Sequence, residues 1–93
     1  MNKETIIQEL KKIEDPELQI DIWTLGLIYE LTLEEKKANI KMTFTSPMCP
    51  YGPMIVDQIK QKLTELQLTP HIEVVFTPPW QPNDEIKEIL GLP

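Results

Sequence analysis

Sulfur, imidazole and glycine are all scarce in this chain. Its 93 residues contain one cysteine (Cys49), one histidine (His71) and three glycines. A single cysteine excludes an internal disulfide framework and fits a reducing compartment. One cysteine and one histidine are also too few to assemble a structural zinc site. Three scattered glycines leave no phosphate-cradling loop, and neither a CxxC pair nor a G-x-S-x-G nucleophile elbow occurs. Cations are outnumbered too: nine lysines and arginines face fifteen acidic residues, for a net charge of -6. Such a surface excludes binding along a nucleic-acid phosphate backbone, which needs a basic footprint. No apolar run approaches the roughly 18 residues that a membrane span requires. The opening "MNKETIIQEL" is polar and helix-like rather than a signal peptide. The chain is therefore expected in the cytoplasm, without a membrane partner.

Proline, by contrast, is abundant, and eight of the nine prolines follow position 46. They punctuate a readable order of elements. Residues 3–14 carry Ile6, Ile7, Leu10 and Ile13 at helical spacing, with Asn2 as N-cap and Pro16 as the stop. "DPELQIDIWTLG" reads as an ordered loop pinned by Leu18, Ile20, Ile22 and Trp23, with Gly26 permitting a sharp entry into a strand. Residues 27–33 alternate, with Leu27, Tyr29, Leu31 and Leu33 on one face and Ile28, Glu30 and Thr32 on the other. After the tight "EEKK" connection, residues 38–45 alternate again. Ala38, Ile40, Met42 and Phe44 then point inward, and Asn39, Lys41, Thr43 and Thr45 lie on the polar face. Residues 51–67 form the main helix, striped by Val56, Ile59, Leu63 and Leu66. Pro70 marks a turn, and residues 72–77 form a third strand, parallel to the second through a right-handed crossover. Asn83 caps a last helix over 84–90 that Gly91 stops. The expectation is an α+β fold: one compact two-layer α-β-β-α-β-α domain over residues 1–93, with a three-stranded mixed sheet and helices packed on one face.

The chemistry concentrates around "TSPMCPYGP". Cys49 stands at the junction between the second strand and the main helix. The helix dipole and unpaired backbone N–H groups favour a thiolate there. Pro50 suits a first helical turn, and Pro47 and Pro53 stiffen the corner. Two readings stay open: a reactive thiol, or a small buried hydrophobe. Thr43, Thr45 and Ser46 bring hydroxyls towards it, able to donate to a thiolate, a sulfide or a substrate oxygen, although threonine is also ordinary strand material. Asp15, before Pro16, is a turn-former that can order the following loop, or a functional carboxylate if that loop folds back. Glu17 is expected to be solvated. Trp80, in "PPWQP", is either a satellite core residue or part of a site, and either X-Pro bond of Pro78 and Pro79 is a candidate for cis. His71 lies across the main helix from Cys49, which speaks against a Cys–His dyad.

Three segments together carry a resemblance: "DPELQIDIWTLGLIYEL" (15–31), "MTFTSPMCPYGPMI" (42–55) and "VVFTPPWQPNDEIKEILGL" (74–92). In this order they resemble the metal–sulfur cluster maturation family, which includes SufT-like proteins, PaaD-like subunits and a eukaryotic cytosolic iron–sulfur targeting factor with a domain of this type. The resemblance implies a compact α/β fold and a role in assembling iron–sulfur clusters or delivering them to apo-proteins. It also implies one site centred on Cys49 and lined by Asp15, Thr43, Thr45 and Trp80. Thr77 stands where the family often has a carboxylate or amide, so no acid–base role is assigned there. The pattern runs almost to the end of the sequence, as expected of the bare domain.

A thiolate is the soft ligand that iron and sulfide favour, but a cluster normally takes about four ligands. Cys49 as a metal ligand would need a second protomer, a partner, a small thiol or non-thiol ligands. The expectation is an accessory factor that handles an iron–sulfur cluster or iron transiently, without turnover chemistry of its own. Its partners would be apo iron–sulfur proteins or scaffold proteins, with a homodimer as one way to complete the ligand set. Two alternatives stand beside it. One is an adaptor in the same pathway in which Cys49 is structural. The other is a thiol-dependent enzyme, for which the motif supplies no general base.

Overall fold

The computed structural model describes residues 2–46 and 50–91. The element order is α1 (Lys3–Leu10), β1 (Ile28–Glu34), β2 (Lys37–Met42), α2 (Gly52–Glu65), β3 (Thr69–Val74) and α3 (Asp84–Leu90). The sheet order is β1-β2-β3, with β1 antiparallel and β3 parallel to β2. This is the expected mixed three-stranded α+β architecture.

Two helices start as their caps dictate. The Asn2 carboxamide accepts from the Thr5 amide, and the Asn83 carboxamide from the Ile86 amide. Gly91, in the left-handed region at φ 72°, ends α3. The first helix is shorter than its apolar stripe suggests, stopping at Leu10 rather than running to residue 14. Ile13 is still buried: its amide bonds to the Leu10 carbonyl in a closing turn, and its carbonyl accepts from Ile22. The helix α2 opens at Gly52, so Pro53 rather than Pro50 occupies its first turn. Its buried stripe is Ile55, Ile59 and Leu63, while Val56 and Leu66 are only half-buried. Each fully buried aliphatic side chain contributes about 1.5–3 kcal/mol, so this stripe outweighs the small intrinsic preferences of the helix.

The sheet packs in rows. Leu33–Ala38–Pro70, Leu31–Ile40–Ile72 and Ile28–Met42–Val74 form three ranks on the core side. Thr32–Asn39–His71 and Glu30–Lys41–Glu73 form two on the open side. A register irregularity between Ile28 and Glu30 sets Ile28 opposite Met42. The simple alternation that grouped Ile28 with Glu30 and Thr32 is therefore corrected, because a bulge shifts the two-residue period. The bulged Tyr29 donates its hydroxyl to the Pro78 carbonyl at 2.8 Å. The third strand begins at Thr69 rather than at residue 72, and Pro70 lies within it. Its missing N–H is tolerated because β3 is an edge strand. The largest correction concerns β2, which ends at Met42. Beyond it Thr43 is buried instead of facing water, with its amide bonded to the Leu27 carbonyl.

The core joins Ile6, Leu10 and Ile13 to the buried residues of β2 and α2, to Ile22, Leu25 and Leu27 of the long loop, and to Ile86 of α3. Gly26, at φ 78°, makes the turn that carries Leu27 back to the Ile22 carbonyl and then into β1. On the surface Glu9 ties α1 to α2, 3.1 Å from Lys12 and 3.7 Å from Lys62. The hydrogen bond from Lys12 holds the Glu9 carboxyl below the ordinary carboxylate range.

Candidate functional site

The sheet has two ends. At one, β1 turns into β2 and α2 returns into β3. At the other, β2 and β3 run out into the segments 43–46 and 75–83, and the long loop enters β1. Of the residues singled out in the sequence, Thr43, Thr45 and Trp80 meet at this second end. They line a cavity of about 240 Å³ together with Phe44, Phe76 and Pro79.

The cavity is built from fixed parts. The Val75 amide bonds to the Met42 carbonyl, which extends the strand pairing by one step before the two segments diverge. The Thr77–Pro78 bond is cis. From there the chain crosses towards the entry to β1. Tyr29 anchors Pro78, and the Trp80 indole N–H donates to the Leu25 carbonyl at 2.6 Å. Trp80 is thus half-buried against the core, as its satellite-core reading expects, and is also a wall of the cavity. Phe44 and Phe76 meet edge to face with ring centroids 6.1 Å apart. Behind Phe44 lies Gly52, where a Cβ atom would sit 2.6 Å from the ring. A side chain there would force the Phe44 ring to shift, so glycine at the start of α2 suits this close approach.

Two buried side-chain atoms have no hydrogen-bond partner among the described residues: Thr43 Oγ1 and Asp15 Oδ2. A polar atom buried without a partner is costly, because burial removes water without supplying a replacement. Thr43 is 1% exposed and contributes to the cavity wall. Asp15, also 1% exposed, spends its other oxygen on the loop: Oδ1 accepts from the Glu17 amide at 2.8 Å and from the Leu18 amide at 3.3 Å. This is the turn-ordering role expected of Asp before Pro. The carboxylate is not among the cavity-lining residues. Ser46 is exposed and has an interaction partner of its own, while Glu17 is exposed, as expected. Cys49 lies outside the described residues. His71 pairs with Asn39 on the open face of the sheet, away from this end. Among the described residues, no group of three or more His, Cys, Asp or Glu side chains could hold a metal ion.

Sequence reasoning missed Phe44, Phe76 and Pro79 as parts of this site. Phe44 continues the inward alternation of β2 and so reads as core. Phe76 was absorbed into a strand that in fact ends at Val74. The signal available was the stretch from Val75 to Trp80, apolar or proline except for Thr77, which runs on past the strand.

The profile of the iron–sulfur cluster assembly protein family matches residues 3–75, which include all of the strands and the helix α2. The chain belongs to the iron–sulfur cluster assembly protein family. Within it, the SufT-like branch is close. The chain is 43% identical over 81 residues to the Fe-S protein maturation auxiliary factor YitW of Bacillus subtilis, covering 84% of this chain and 79% of that one. It is 45% identical over 69 residues to the Fe-S protein maturation auxiliary factor SufT of Staphylococcus aureus, covering 71% and 78%. The fold is that of a crystal structure from Bacillus anthracis described as a domain of unknown function, DUF59. That match has a TM-score of 0.84 and 35% identity, covering 97% of this chain and 92% of that one. The relatives are thus auxiliary factors for maturing iron–sulfur proteins. No helix among the described residues is long and apolar enough to cross a membrane.

Proposed function

We propose that this chain is an accessory factor that hands an iron–sulfur cluster, or iron, to apo-proteins, and that residues 1–93 act as one domain. Cys49 is its transient ligand, and Thr43, Thr45, Ser46, Trp80 and Asp15 shape the site around it. One observation carries this reading: a buried threonine hydroxyl, without a hydrogen-bond partner among the described residues, on the wall of a cavity whose other lining residues include Thr45 and Trp80. A fold optimised only for stability would place valine there. A hydroxyl that finds no partner among the described residues suits a site whose partner arrives with the cargo, as a sulfide, a thiolate or a client group. Thr43 lies six positions before Cys49 in the same connecting segment.

The cluster is cargo here rather than a resident cofactor. One thiol supplies one of the roughly four ligands a cluster normally takes, so the remainder come from a client, a scaffold, a small thiol or a second protomer. That incompleteness favours release over storage. The reducing cytoplasm suits a lone thiol that has to stay reduced.

The test compares wild type with Cys49→Ala. Cells relying on the variant are expected to lose iron–sulfur enzyme activity while protein levels hold. Protein purified without oxygen is expected to carry less iron and sulfide than wild type. Normal maturation by Cys49→Ala would remove the ligand role and leave the adaptor reading, in which the thiol is structural. An ordinary thiol pKa near ~8.5 and no covalent adduct would exclude the thiol-enzyme reading.

A further inference from the structure

The sheet has two free edges, along β1 and along β3. The bonds at the two ends of β3 fix which backbone groups its edge offers. The Thr69 N–H donates to the Lys36 carbonyl, and the Val75 N–H to the Met42 carbonyl. Backbone direction alternates along a strand, so His71 and Glu73 also turn their N–H and C=O groups towards β2. Ile72 and Val74 turn theirs outward, and so does Pro70, which has a carbonyl but no N–H. Such a row of backbone groups is a template for another strand.

The side chains of this edge are uncovered on both faces. On the core side Pro70, Ile72 and Val74 are only half-buried, whereas Ala38, Ile40 and Met42, which share their ranks in β2, are buried. On the open side His71 and Glu73 are exposed, His71 beside Asn39 and Glu73 beside Lys41. The run from Pro70 to Val74 is self-complementary about Ile72. With two copies antiparallel and Ile72 on the two-fold axis, His71 of each faces Glu73 of the other, and Pro70 of each faces Val74 of the other. The outward residues form the hydrogen-bonded pairs of that ladder. Each Ile72 exchanges N–H and C=O bonds with the Ile72 opposite, and each Val74 N–H donates to the Pro70 carbonyl opposite. Every outward N–H then has an acceptor. His71 and Glu73 fall in the non-hydrogen-bonded pairs, where Cα atoms come within about 4.5 Å and side chains lie closest. An imidazole there meets a carboxylate, and opposite-charge or hydrogen-bonding pairs across strands are favourable. The β1 edge has no such pattern, since its open-face residues Glu30, Thr32 and Glu34 include neither a cation nor an imidazole.

We propose that the β3 edge pairs with the β3 edge of a second copy of this chain, antiparallel and centred on Ile72, joining two three-stranded sheets into one. The contact is isologous and closes at two copies. It is a small interface, so the pair is weak. The proposal stands apart from the transfer reading but bears on it. The cavity lies where β3 runs out, so antiparallel pairing sets the two cavities at opposite ends of the joined sheet. A second protomer held this way does not share a cluster with the first, which leaves a client, a scaffold or a small thiol to supply the remaining ligands.

The experiment follows the full chain, labelled with ¹⁵N, through a dilution series up to millimolar concentration, with sedimentation velocity in parallel. Sedimentation is expected to show monomer passing to dimer. The amide signals of residues 70–74 are expected to shift with concentration, and hydrogen exchange at Ile72 and Val74 to slow as the dimer forms. Ile72→Pro removes the central donor, at an edge position where the sheet of the single chain tolerates proline, and is expected to weaken association at least about tenfold. Glu73→Lys sets a cation opposite His71 and is expected to weaken it about tenfold. His71→Glu combined with Glu73→Lys restores opposite charges across the axis and is expected to recover association, which a merely structural role for either residue would not produce. Signal dispersion reports that each variant is folded, and the exposed Glu73 keeps the result interpretable if Ile72→Pro is not. A single monomeric species at every concentration, with fast exchange at Ile72 and Val74, would overturn the proposal and leave Pro70 as a guard against pairing. Concentration-dependent shifts confined to β1 or to residues 43–45 and 76, or full association in both Ile72→Pro and Glu73→Lys, would overturn it as well.

Discussion

The two ends of the sheet follow opposite rules. At the hairpin end, Glu34 pairs with Lys37 across a two-residue turn, with Glu35 in the left-handed region at φ 54°. Beside it α2 closes in a Schellman arrangement, in which Leu68 N–H reaches the Leu63 carbonyl and Gln67 N–H the Thr64 carbonyl, and Thr69 N–H then bonds to Lys36. Local turns satisfy the backbone, and the surface is charged. At the far end the strands stop early, the segments 43–46 and 75–83 carry no charge, three large hydrophobics stand exposed, and a buried hydroxyl has no partner among the described residues. One end is finished by the chain itself. The other leaves polar and apolar groups that a second molecule can complete.

Substitutions that touch one end alone separate these roles. The largest effect is expected for Gly52→Ala. Its Cβ would meet the Phe44 ring at 2.6 Å, and overpacking of this kind costs about 1–3 kcal/mol. Urea denaturation reads the loss, and shifted signals from Phe44 and Phe76 would show the ring pushed aside. An unchanged midpoint would mean that the far end yields more readily than its packing implies.

Next is Thr43→Val, which removes the hydroxyl that has no partner among the described residues while keeping the shape. Stability is expected to rise by about 1–2 kcal/mol, while maturation of client enzymes falls. A variant less stable than wild type would show that the hydroxyl is bonded in the folded chain, and the contrast between the ends would weaken.

The smallest effect is expected at the hairpin end. Gln67 adopts φ 64° at the close of α2, a conformation that costs a non-glycine residue about 1 kcal/mol. Gln67→Gly relieves that cost but frees the unfolded chain, for a net gain of a few tenths of a kcal/mol. Maturation is expected to be unaffected, and any change in it would connect the two ends.

Much of the fold was legible because its signals are local. The caps at Asn2 and Asn83, the turn at Gly26, the alternation of Ala38, Ile40 and Met42 and the order of the elements all follow from neighbours in sequence. Boundaries shifted where a local rule met a tertiary one. Pro70 reads as a turn, yet an edge strand accommodates it. Ile28 reads as open-face, yet the bulge turns it inward. Asp15 was legible as a turn residue, and the structure shows the two amides that make it one.

The chain's own sequence determined the class of fold, the acidic surface, the lone thiol and the set of residues worth watching, because composition, period and capping act over a few positions. The tertiary structure decided which of those residues meet. Thr43 and Trp80 are 37 positions apart in the chain. They come together because parallel pairing brings the ends of β2 and β3 side by side, and because the Tyr29–Pro78 and Trp80–Leu25 hydrogen bonds fold the proline-rich segment back over the entry to β1. The same pairing carries Phe76 onto Phe44. No periodicity within either segment encodes that contact, since it arises only when two strands distant in sequence share one edge of a sheet.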